Sequence, residues 1–512
     1  MNMNIKKFSF ILFLSLLLLI TMAALFSCDN KTNGDNNSNN ADVQNDVQSD
    51  SDNAAEAEDP AGKDDLPEKN FGEKEFIILV DPTTSFRHFY DVCVEGIEGE
   101  LIHDAVYKRN LEVEERFNVK ISDRQITNIY DSIRKSVTSG SVDYSVAWAM
   151  VTDYTKLSQN NILLDLQNVP NLNLEKKYWD QNVVRDFTIS GKLYGIMGDI
   201  STSVSVFTHL FGVNKVVAQN NDIDISGLYQ TVRDGKWTYD TLYSLTKDLY
   251  RDLDGDGTRN YADQYGLGTT IAVVDAMFSA SGEKLVTRDE NGDFILSPVT
   301  SRIEAVYSKI SDILSNKTIN LGSWNIGKIE GDIKGHASWY AIDDKFLNNT
   351  VLFVDIDVGI MMDFRAMDSD FGIVPVPKFD ESQKNYSVYA YPFYPMLTIP
   401  SSYAGDGESL DLIGTIMEGL ASSSYKNLPP AFYDTAFATK YTRDEESIEM
   451  LDIILRSRIY DWMTIFNFGN IYSGIHSQLE KDNLNIVSLF EKNEAKAQAD
   501  IQKLVDAYAD ND

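Results

Sequence analysis

Hydrophobic positions along the chain follow two patterns, a continuous run and a helical spacing. Phe76 to Val80 is a continuous apolar run, typical of a strand buried on both faces of a parallel sheet. From Leu101 to Phe117, apolar residues recur every three to four positions, as on one face of a helix. Val119 to Ile121 and Tyr144 to Trp148 predict two further strands with a helix between them. This alternation predicts an α/β fold built on a parallel sheet covered by helices.

The second half of the chain predicts more helix than strand. Thr238 is placed to cap a helix, and Val351 to Val354 and Phe371 to Val376 are short strand candidates. Past Pro400 the apolar spacing is helical, and Pro429-Pro430 are expected to break that helical part.

The first 27 residues have the pattern of a secretion signal. Lys6 and Lys7 precede an apolar run from Phe8 to Phe26, and Ser27-Cys28 follow. Leu25 to Cys28 resembles the lipobox of bacterial lipoproteins, which implies lipid on Cys28. Since the run approaches the ~20 apolar residues of a spanning helix, an uncleaved anchor is the alternative. Either interpretation places the rest of the chain on the outer face of the cell membrane.

Residues 28–71 hold scarcely any large apolar side chain and are rich in Asn, Asp, Ser and Ala. Such a composition cannot bury enough surface to fold, so a disordered acidic tether is predicted. The net charge of -33 argues against nucleic acid as a partner, because phosphate binding needs clustered Lys and Arg. It also argues against docking on anionic lipid, so the expected attachment is covalent or apolar.

One loop follows the spacing of calcium-binding loops. Alternate carboxylates point into a single turn, and Gly257 permits the sharp bend. The expected ligands are Asp252, Asp254, Asp256, Thr258 through its carbonyl, and Asp263. The alternative is an acidic surface turn made of good turn formers. The residues after Asp263 do not predict an exiting helix, so calcium would have a structural role.

Signatures of catalysis are scarce. The chain has no H-E-x-x-H, G-x-S-x-G, Walker or dinucleotide-binding motif, and its five histidines show no metal-ligand spacing. Paired carboxylates for glycoside hydrolysis are set by spatial position, so that alternative stays open. Aromatic residues are plentiful, and sugars stack on aromatic rings while carboxylates bind their hydroxyls. Trp148 ends a predicted strand, where open α/β sheets place ligands, although a core position is an equal alternative.

Several stretches, taken in order, resemble the family 1 extracellular solute-binding proteins of ABC transporters, the group that contains the maltose-binding protein. They are Gly99 to Asn110, Leu163 to Leu166, Tyr178-Trp179, Gly191 to Tyr194, Val213 to Lys215, Trp237-Thr238, Asp370 to Pro377, Ile399-Pro400 and Glu449 to Asp452. The resemblance implies two α/β lobes joined by a hinge. Residues 72–208 and 388–430 would form the first lobe, and residues 209–387 and 431–512 the second.

The resemblance also implies a function without chemistry. A monomeric lipoprotein would capture a small polar solute between its lobes, with a sugar or oligosaccharide favoured, and pass it to ABC permease subunits. The positions expected to contact the solute are Trp148, Asp153, Asp199, Ser205, Phe207 and Trp462. Phe207 stands where the maltose-binding protein has an acidic sugar contact, so maltose itself is not favoured. A surface glycosidase and a recognition lipoprotein without a transporter are the rival interpretations.

Overall fold

The computed structural model describes residues 62–82, 92–290, 292–330, 338–364, 367–437 and 445–509. The predicted signal, Cys28 and the tether as far as residue 61 lie outside the described residues, so those predictions stay predictions. Within the described ranges, no helix has both the length and the apolar character needed to cross a bilayer.

The strands are short and most of them are buried. They are β1 (Lys74–Val80), β2 (Val119–Gln125), β3 (Val146–Met150), β4 (His209–Asn214), β5 (Tyr265–Thr269), β6 (Val286–Arg288), β7 (Phe294–Leu296), β8 (Asn320–Gly322), β9 (Val351–Asp357), β10 (Phe371–Val374), β11 (Val388–Tyr389), β12 (Pro395–Thr398) and β13 (Arg458–Ile459).

Helices connect the strands and dominate the C-terminal part. They are α1 (Leu101–Phe117), α2 (Ile129–Ser139), α3 (Val151–Ser158), α4 (Gln181–Phe187), α5 (Ser203–Val206), α6 (Lys215–Asn220), α7 (Ile225–Arg233), α8 (Tyr239–Thr246), α9 (Val273–Ala280), α10 (Ser301–Leu314), α11 (Ser323–Glu330), α12 (Ser338–Leu347), α13 (Val358–Asp363), α14 (Gly407–Phe437), α15 (Glu445–Arg456), α16 (Trp462–Phe466), α17 (Ile471–Leu479) and α18 (Ile486–Ala509).

Two mixed sheets form the framework. The first has the order β12-β3-β1-β2, in which β1 pairs in parallel with β2 and β3 while β12 is antiparallel. The second has the order β10-β4-β9-β5-β8, in which β5 is parallel to β8 and β9 while β4 runs against β9 and β10. Every residue of β9 is buried, as expected for a strand covered by helices on both faces. The predicted α/β class is confirmed.

Each sheet takes its strands from separate parts of the chain. The first sheet uses residues 74–150 and 395–398, and the second uses residues 209–374. The limits of the two lobes stay a prediction. Tyr508 near the end of α18 lies with its hydroxyl 3.1 Å from that of Tyr154, and its ring meets Tyr194 at 4.7 Å between centroids. Helix α18 therefore contacts residues of the predicted first lobe, and it also packs against β7 of the predicted second lobe.

The body begins earlier than residue 72, which corrects part of the predicted tether. Asp64 is buried and accepts two hydrogen bonds from Arg116 at 2.7 and 2.8 Å, while Lys69 pairs with Asp411 at 2.6 Å. Leu66 packs against the core. Composition alone missed this segment because its few anchoring residues are separated by polar ones.

The prediction that Pro429 and Pro430 break the helical part is wrong. Helix α14 continues from Gly407 to Phe437 with Pro429 and Pro430 inside it. Proline removes the backbone donors that the carbonyls of Tyr425 and Lys426 would otherwise use. The helix persists because α14 packs along α1 and buries Leu420 and Leu428, so tertiary contacts outweigh the lost hydrogen bonds.

Candidate functional site

Three extended segments run side by side between the two sheets. Thr208 bridges Ala390 in antiparallel fashion, and the Tyr391 amide donates to the Phe207 carbonyl at 2.9 Å. Strand β11 pairs in parallel with β13, so the segments before β4, around β11 and around β13 lie in that order. We call these three segments the crossing strands.

Aromatic side chains line one face of the crossing strands. We call Phe207, His209, Tyr389, Tyr391 and Phe393 the aromatic cluster. Its ring centroids lie 4.8 Å apart for Tyr391 and Phe393, 5.7 Å for His209 and Tyr391, 5.5 Å for His209 and Tyr389, and 6.3 Å for Phe207 and Phe393. Phe207, Tyr391 and Phe393 are only partly buried, so their rings remain accessible.

The aromatic cluster connects the carboxyl ends of both parallel strand sets. In the first sheet, Met150 at the end of β3 pairs with Pro395, and the backbone carbonyl of Tyr394 accepts a hydrogen bond from the Val151 amide. In the second sheet, His209 pairs with Asp357 at the end of β9. Ligands in open α/β sheets bind outside the carboxyl ends of the strands. The aromatic cluster therefore occupies the position where the fold places a ligand.

Buried polar groups stand beside these rings. Asp355 lies with one oxygen 3.1 Å from His209 Nδ1, and its other oxygen accepts from Thr270 Oγ1 at 2.8 Å. Asp357 caps α13 by accepting the Ile360 amide at 2.9 Å. Burial lowers the pKa of His209, but the hydrogen bond and charge of Asp355, together with the charges of Asp357 and Asp275, raise it, so the net pKa is raised.

A second carboxylate–histidine pair flanks the cluster. His476 Nε2 lies 2.7 Å from Asp275 Oδ2, and the Asp275 side chain is buried. Burial raises the pKa of Asp275, and the charges of His476 and His209 only partly offset this. Burial lowers the pKa of His476, but the charge and hydrogen bond of Asp275 and the charge of Glu480 raise it, so the net pKa is raised. His209 and His476 thus belong to two carboxylate–histidine pairs, which their spacing in the sequence did not suggest.

The structure does not bring the six predicted contact residues together. Phe207 belongs to the aromatic cluster. Trp148 in β3 and Trp462 at the start of α16 are 4% and 5% exposed, and both indole nitrogens are buried without a hydrogen-bond partner among the described residues. Asp153 lies in the first turn of α3 and pairs with Lys156 at 3.1 Å.

A hairpin made of β6 and β7 covers Trp462. The Phe294 ring lies 4.2 Å from the Trp462 ring, and Arg288 Cζ lies 4.9 Å from it. Arg288 also donates to the Asp186 carbonyl at 2.8 Å, and Ser190 donates to Asp293 at 2.9 Å. In this arrangement Trp462 packs against protein and does not offer a free face to a sugar.

Asp199 and Ser205 lie away from the aromatic cluster. They line a pocket of about 1100 Å³, which we call the rear pocket. The other lining residues are Lys177, Ser201, Thr202, Tyr425, Leu428, Pro429, Pro430, Phe432, Tyr433, Asp452, Leu455, Arg456 and Arg458. Burial raises the pKa of Asp199 to about 7, with the positive charge of Arg458 acting in the opposite direction.

The register of β11 and β13 separates the two locations. Val388 pairs with Arg458, and Tyr389 pairs with Ile459. Paired residues point to the same face of a sheet and successive residues to opposite faces. Arg458 in the rear pocket therefore lies on the face opposite Tyr389, so the crossing strands divide the rear pocket from the aromatic cluster.

The predicted calcium loop brings three of its carboxylates together. Asp252, Asp254 and Asp256 are exposed, and one oxygen from each lies within 4.8 Å of the others. Asp263 is fully buried and accepts hydrogen bonds from Tyr250, Asn260 and Leu253 at 2.9, 2.9 and 3.1 Å. The Thr258 amide donates to Asp256 at 2.6 Å. Three carboxylates suit a hard cation, whereas Asp263 already holds the loop to the body.

Sequence reasoning missed most of the aromatic cluster. Tyr389, Tyr391 and Phe393 alternate with other residues, which is the pattern of one face of an extended strand. That alternation was a usable signal. His209 and Asp355 carried none, because they meet through strand pairing across 146 positions.

Known structures share this fold. No protein-family model matches the chain, and no curated protein is recognisably similar in sequence. A sugar transporter protein from Rhizobium etli in an open conformation is 14% identical, with a TM-score of 0.52 over 85% of this chain and 99% of its own. An ABC substrate-binding protein from Listeria monocytogenes, in complex with cycloalternan, is 11% identical, with a TM-score of 0.51 over 85% and 98%. A cyclo/maltodextrin-binding protein complexed with maltotetraose is 11% identical, with a TM-score of 0.50 over 85% and 97%. The chain has the two-lobed α/β fold of the solute-binding proteins of ABC transporters, as its sequence predicted.

Proposed function

We propose that this protein binds a sugar or oligosaccharide at the aromatic cluster and passes it to an ABC importer without changing it chemically. The observation that carries the proposal is the row of rings from Phe393 through Tyr391 to His209, which joins the carboxyl ends of both sheets. The fold shared with sugar-binding proteins supports the same class of ligand.

The chemistry of the cluster suits a carbohydrate. Sugars present apolar C–H faces and hydroxyl edges, so they combine stacking on rings with hydrogen bonds to polar groups. Phe207, Tyr391 and Phe393 offer partly exposed rings, and Thr270 offers a partly exposed hydroxyl beside Asp355. A ligand held here would contact both sheets, so its binding would favour one relative position of the lobes.

The carboxylates at this site support binding rather than hydrolysis. A glycosidase needs one carboxyl to donate a proton and another to act as nucleophile or base. Asp355 is held by His209 and Thr270, Asp357 caps α13, and Asp275 pairs with His476. Because each of these carboxylates already bonds to protein groups, we infer that they accept hydrogen bonds from sugar hydroxyls and do not act as an acid or a nucleophile.

The test is calorimetric titration of the full-length chain with a panel of mono- and oligosaccharides. A ligand should be found, and Phe207→Ala and Tyr391→Ala should each weaken it about tenfold, the equivalent of ~1.4 kcal/mol of stacking. Tyr340→Ala serves as the matched control, because that aromatic side chain is 47% exposed and lies in α12. Hydrolysis of a panel sugar would instead favour the glycosidase. Absence of binding across the panel would contradict the proposal.

We further propose that lipid on Cys28 holds the protein, as a monomer, on the outer face of the cell membrane. A tether before residue 62 would let the body sample solute and still reach permease subunits. Cys28→Ser should release the protein from membranes, and continued retention would favour an uncleaved N-terminal helix. Loss of solute uptake on deletion of neighbouring permease genes would separate transport from recognition alone.

We also propose that the carboxylates of Asp252, Asp254 and Asp256 bind one structural calcium ion. Their proximity supports this, since exposed carboxylates repel one another unless a cation lies among them. Calcium at 100 times its dissociation constant should stabilise the fold by about 2.7 kcal/mol. Chelation should therefore lower the melting temperature, and Asp254→Asn should remove the response while Asp312→Asn retains it. Identical melting temperatures with and without calcium would contradict the proposal and favour an acidic surface turn that binds no metal.

A further inference from the structure

The rear pocket is lined by helices that pack beside different sheets. Helix α14, which supplies Tyr425 and Tyr433, packs along α1 beside the first sheet. Helix α15, which supplies Asp452, packs on β10 of the second sheet. The crossing strands and the segment from Asp199 to Ser205 complete the pocket. A ligand placed here would contact both halves of the body from the side opposite the aromatic cluster.

Most charges around the rear pocket are already paired. Arg458 Nη2 donates to Asp180 at 2.7 Å, and Tyr460 donates to the same carboxylate oxygen at 2.7 Å. Arg456 pairs with Asp452 at 2.8 Å. Arg458 Nη1 makes only a long contact of 3.4 Å with Ser205 Oγ within the described part of the chain. These pairs leave the pocket nearly neutral apart from two side chains.

Those two side chains have opposite charge. Asp199 and Lys177 both line the pocket, and neither forms a salt bridge or side-chain hydrogen bond with another described residue. A neutral sugar would leave the Asp199 carboxylate without a counter-charge. A simple anion would meet the carboxylates of Asp199 and Asp452, and a simple cation would meet Lys177 and Arg456. A ligand that carries both charges satisfies each side chain without opposing the other.

We propose that the rear pocket binds a small zwitterion, with its ammonium group against Asp199 and its carboxylate against Lys177 and Arg458 Nη1. The ligand class is that of amino acids and related molecules with one amine and one carboxylate. Ser205, Ser201 and Thr202 add hydroxyls to this wall. This site is separate from the proposed sugar site, because the backbone of the crossing strands lies between them.

The experiment titrates the full-length chain with zwitterions of increasing charge separation: glycine, 4-aminobutanoate and 6-aminohexanoate. Hexylamine and hexanoate carry one charge each and test whether both are required. At least one zwitterion should bind ten times more tightly than either single-charge analogue. No detectable binding by all three zwitterions, or equal binding of hexylamine or hexanoate, would overturn the proposal.

Variants assign the binding to this pocket. Asp199→Asn and Lys177→Gln should each weaken the best zwitterion at least tenfold, while Asp312→Asn on α10 should leave it unchanged. Both site variants change side chains without salt bridges, so folding should be retained, and melting curves check this. Unchanged affinity in a folded Asp199→Asn variant would refute the assignment. Phe207→Ala should not alter zwitterion binding, so failure of the sugar proposal and failure of this one are distinguishable.

Discussion

The Nδ1 atom of His209 lies 3.1 Å from a carboxylate oxygen of Asp355, where β4 begins and β9 ends in the second sheet. Both side chains are buried. Burial lowers the pKa of His209, but Asp355 and the nearby charges of Asp357 and Asp275 raise it overall, so folding favours the protonated imidazole. The resulting stability is fully present below the ordinary pKa of about 6.5 and is lost as pH rises through the raised value.

His209→Gln should therefore destabilise the protein more at pH 5.5 than at pH 8.5. The expected loss at the lower pH is about 1.5–3 kcal/mol, the range for a hydrogen bond to a charged group. Urea unfolding of the parent and the variant at both pH values measures the difference. Equal losses at the two pH values would show that the protonated pair does not stabilise the fold.

Asp64→Ala should lower the free energy of unfolding by about 1.5–3 kcal/mol, because Arg116 and Ser422 would lose a shared carboxylate. Asp65→Ala is the matched control. Its side chain is 77% exposed and pairs with Lys176, so a loss of at most ~1 kcal/mol is expected. Similar losses for both variants would mean that residues 62–71 do not anchor on the body.

The pH dependence of the Asp64 contribution has a definite sign. Burial raises the pKa of Asp64, but the hydrogen bonds from Arg116, Ser422 and the Leu66 amide, with the charge of Arg116, lower it, so the net pKa is lowered. The contribution should be present above the ordinary value of about 3.9 and disappear as pH falls through the lowered one. The gap in melting temperature between parent and Asp64→Ala should therefore narrow in acid.

Asp199→Asn should raise the melting temperature at pH 8 and change it little at pH 3.5. Burial raises the pKa of Asp199 to about 7, so the folded protein retains a proton that the unfolded chain has already lost. Stability is lost as pH rises from about 4 toward 7, because the ionised carboxylate is disfavoured by burial. Asparagine has no such penalty. A lower melting temperature for the variant at pH 8 would contradict this explanation.

Arg288→Ala should expose the Trp462 ring. The guanidinium lies 4.9 Å from both the Phe294 and Trp462 rings and also donates to the Asp186 carbonyl. Acrylamide quenching, taken as the difference between each chain and its Trp462→Phe counterpart, reports the exposure. Lys284→Ala is the control, since that ammonium lies 5.2 Å from the Trp462 ring. Equal quenching in the two variants would show that Arg288 does not hold the hairpin over Trp462.

The parts of the fold that could be predicted are those governed by local periodicity. The α1 helix begins at Leu101 and ends at Phe117, as the apolar spacing predicted, and the Thr238 side chain caps α8. The predictions were wrong where contacts between distant parts of the chain determine the local structure. Pro429 and Pro430 remain inside a helix because α14 packs on α1, which no local rule anticipates.

The site was harder to predict because neighbours in sequence are not neighbours in space. Ser205 and Phe207 are two positions apart and would share a face of a strand, but Ser203–Val206 forms a helical turn. Ser205 therefore lines the rear pocket while Phe207 joins the aromatic cluster. Conversely, His209 and Tyr391 lie far apart in sequence and meet only after the crossing strands pair.

Only one layer of backbone divides the aromatic cluster from the rear pocket, and β11 and β13 within it are two residues long. A partition this thin has no packed interior to absorb a displacement, so a shift imposed on one side reaches the other. If both proposed ligands bind, each contacts the crossing strands from its own side. Thermodynamic reciprocity then requires that any factor by which one ligand changes the affinity of the other is returned unchanged. The crossing strands would in that case be the shared wall of a two-input receptor.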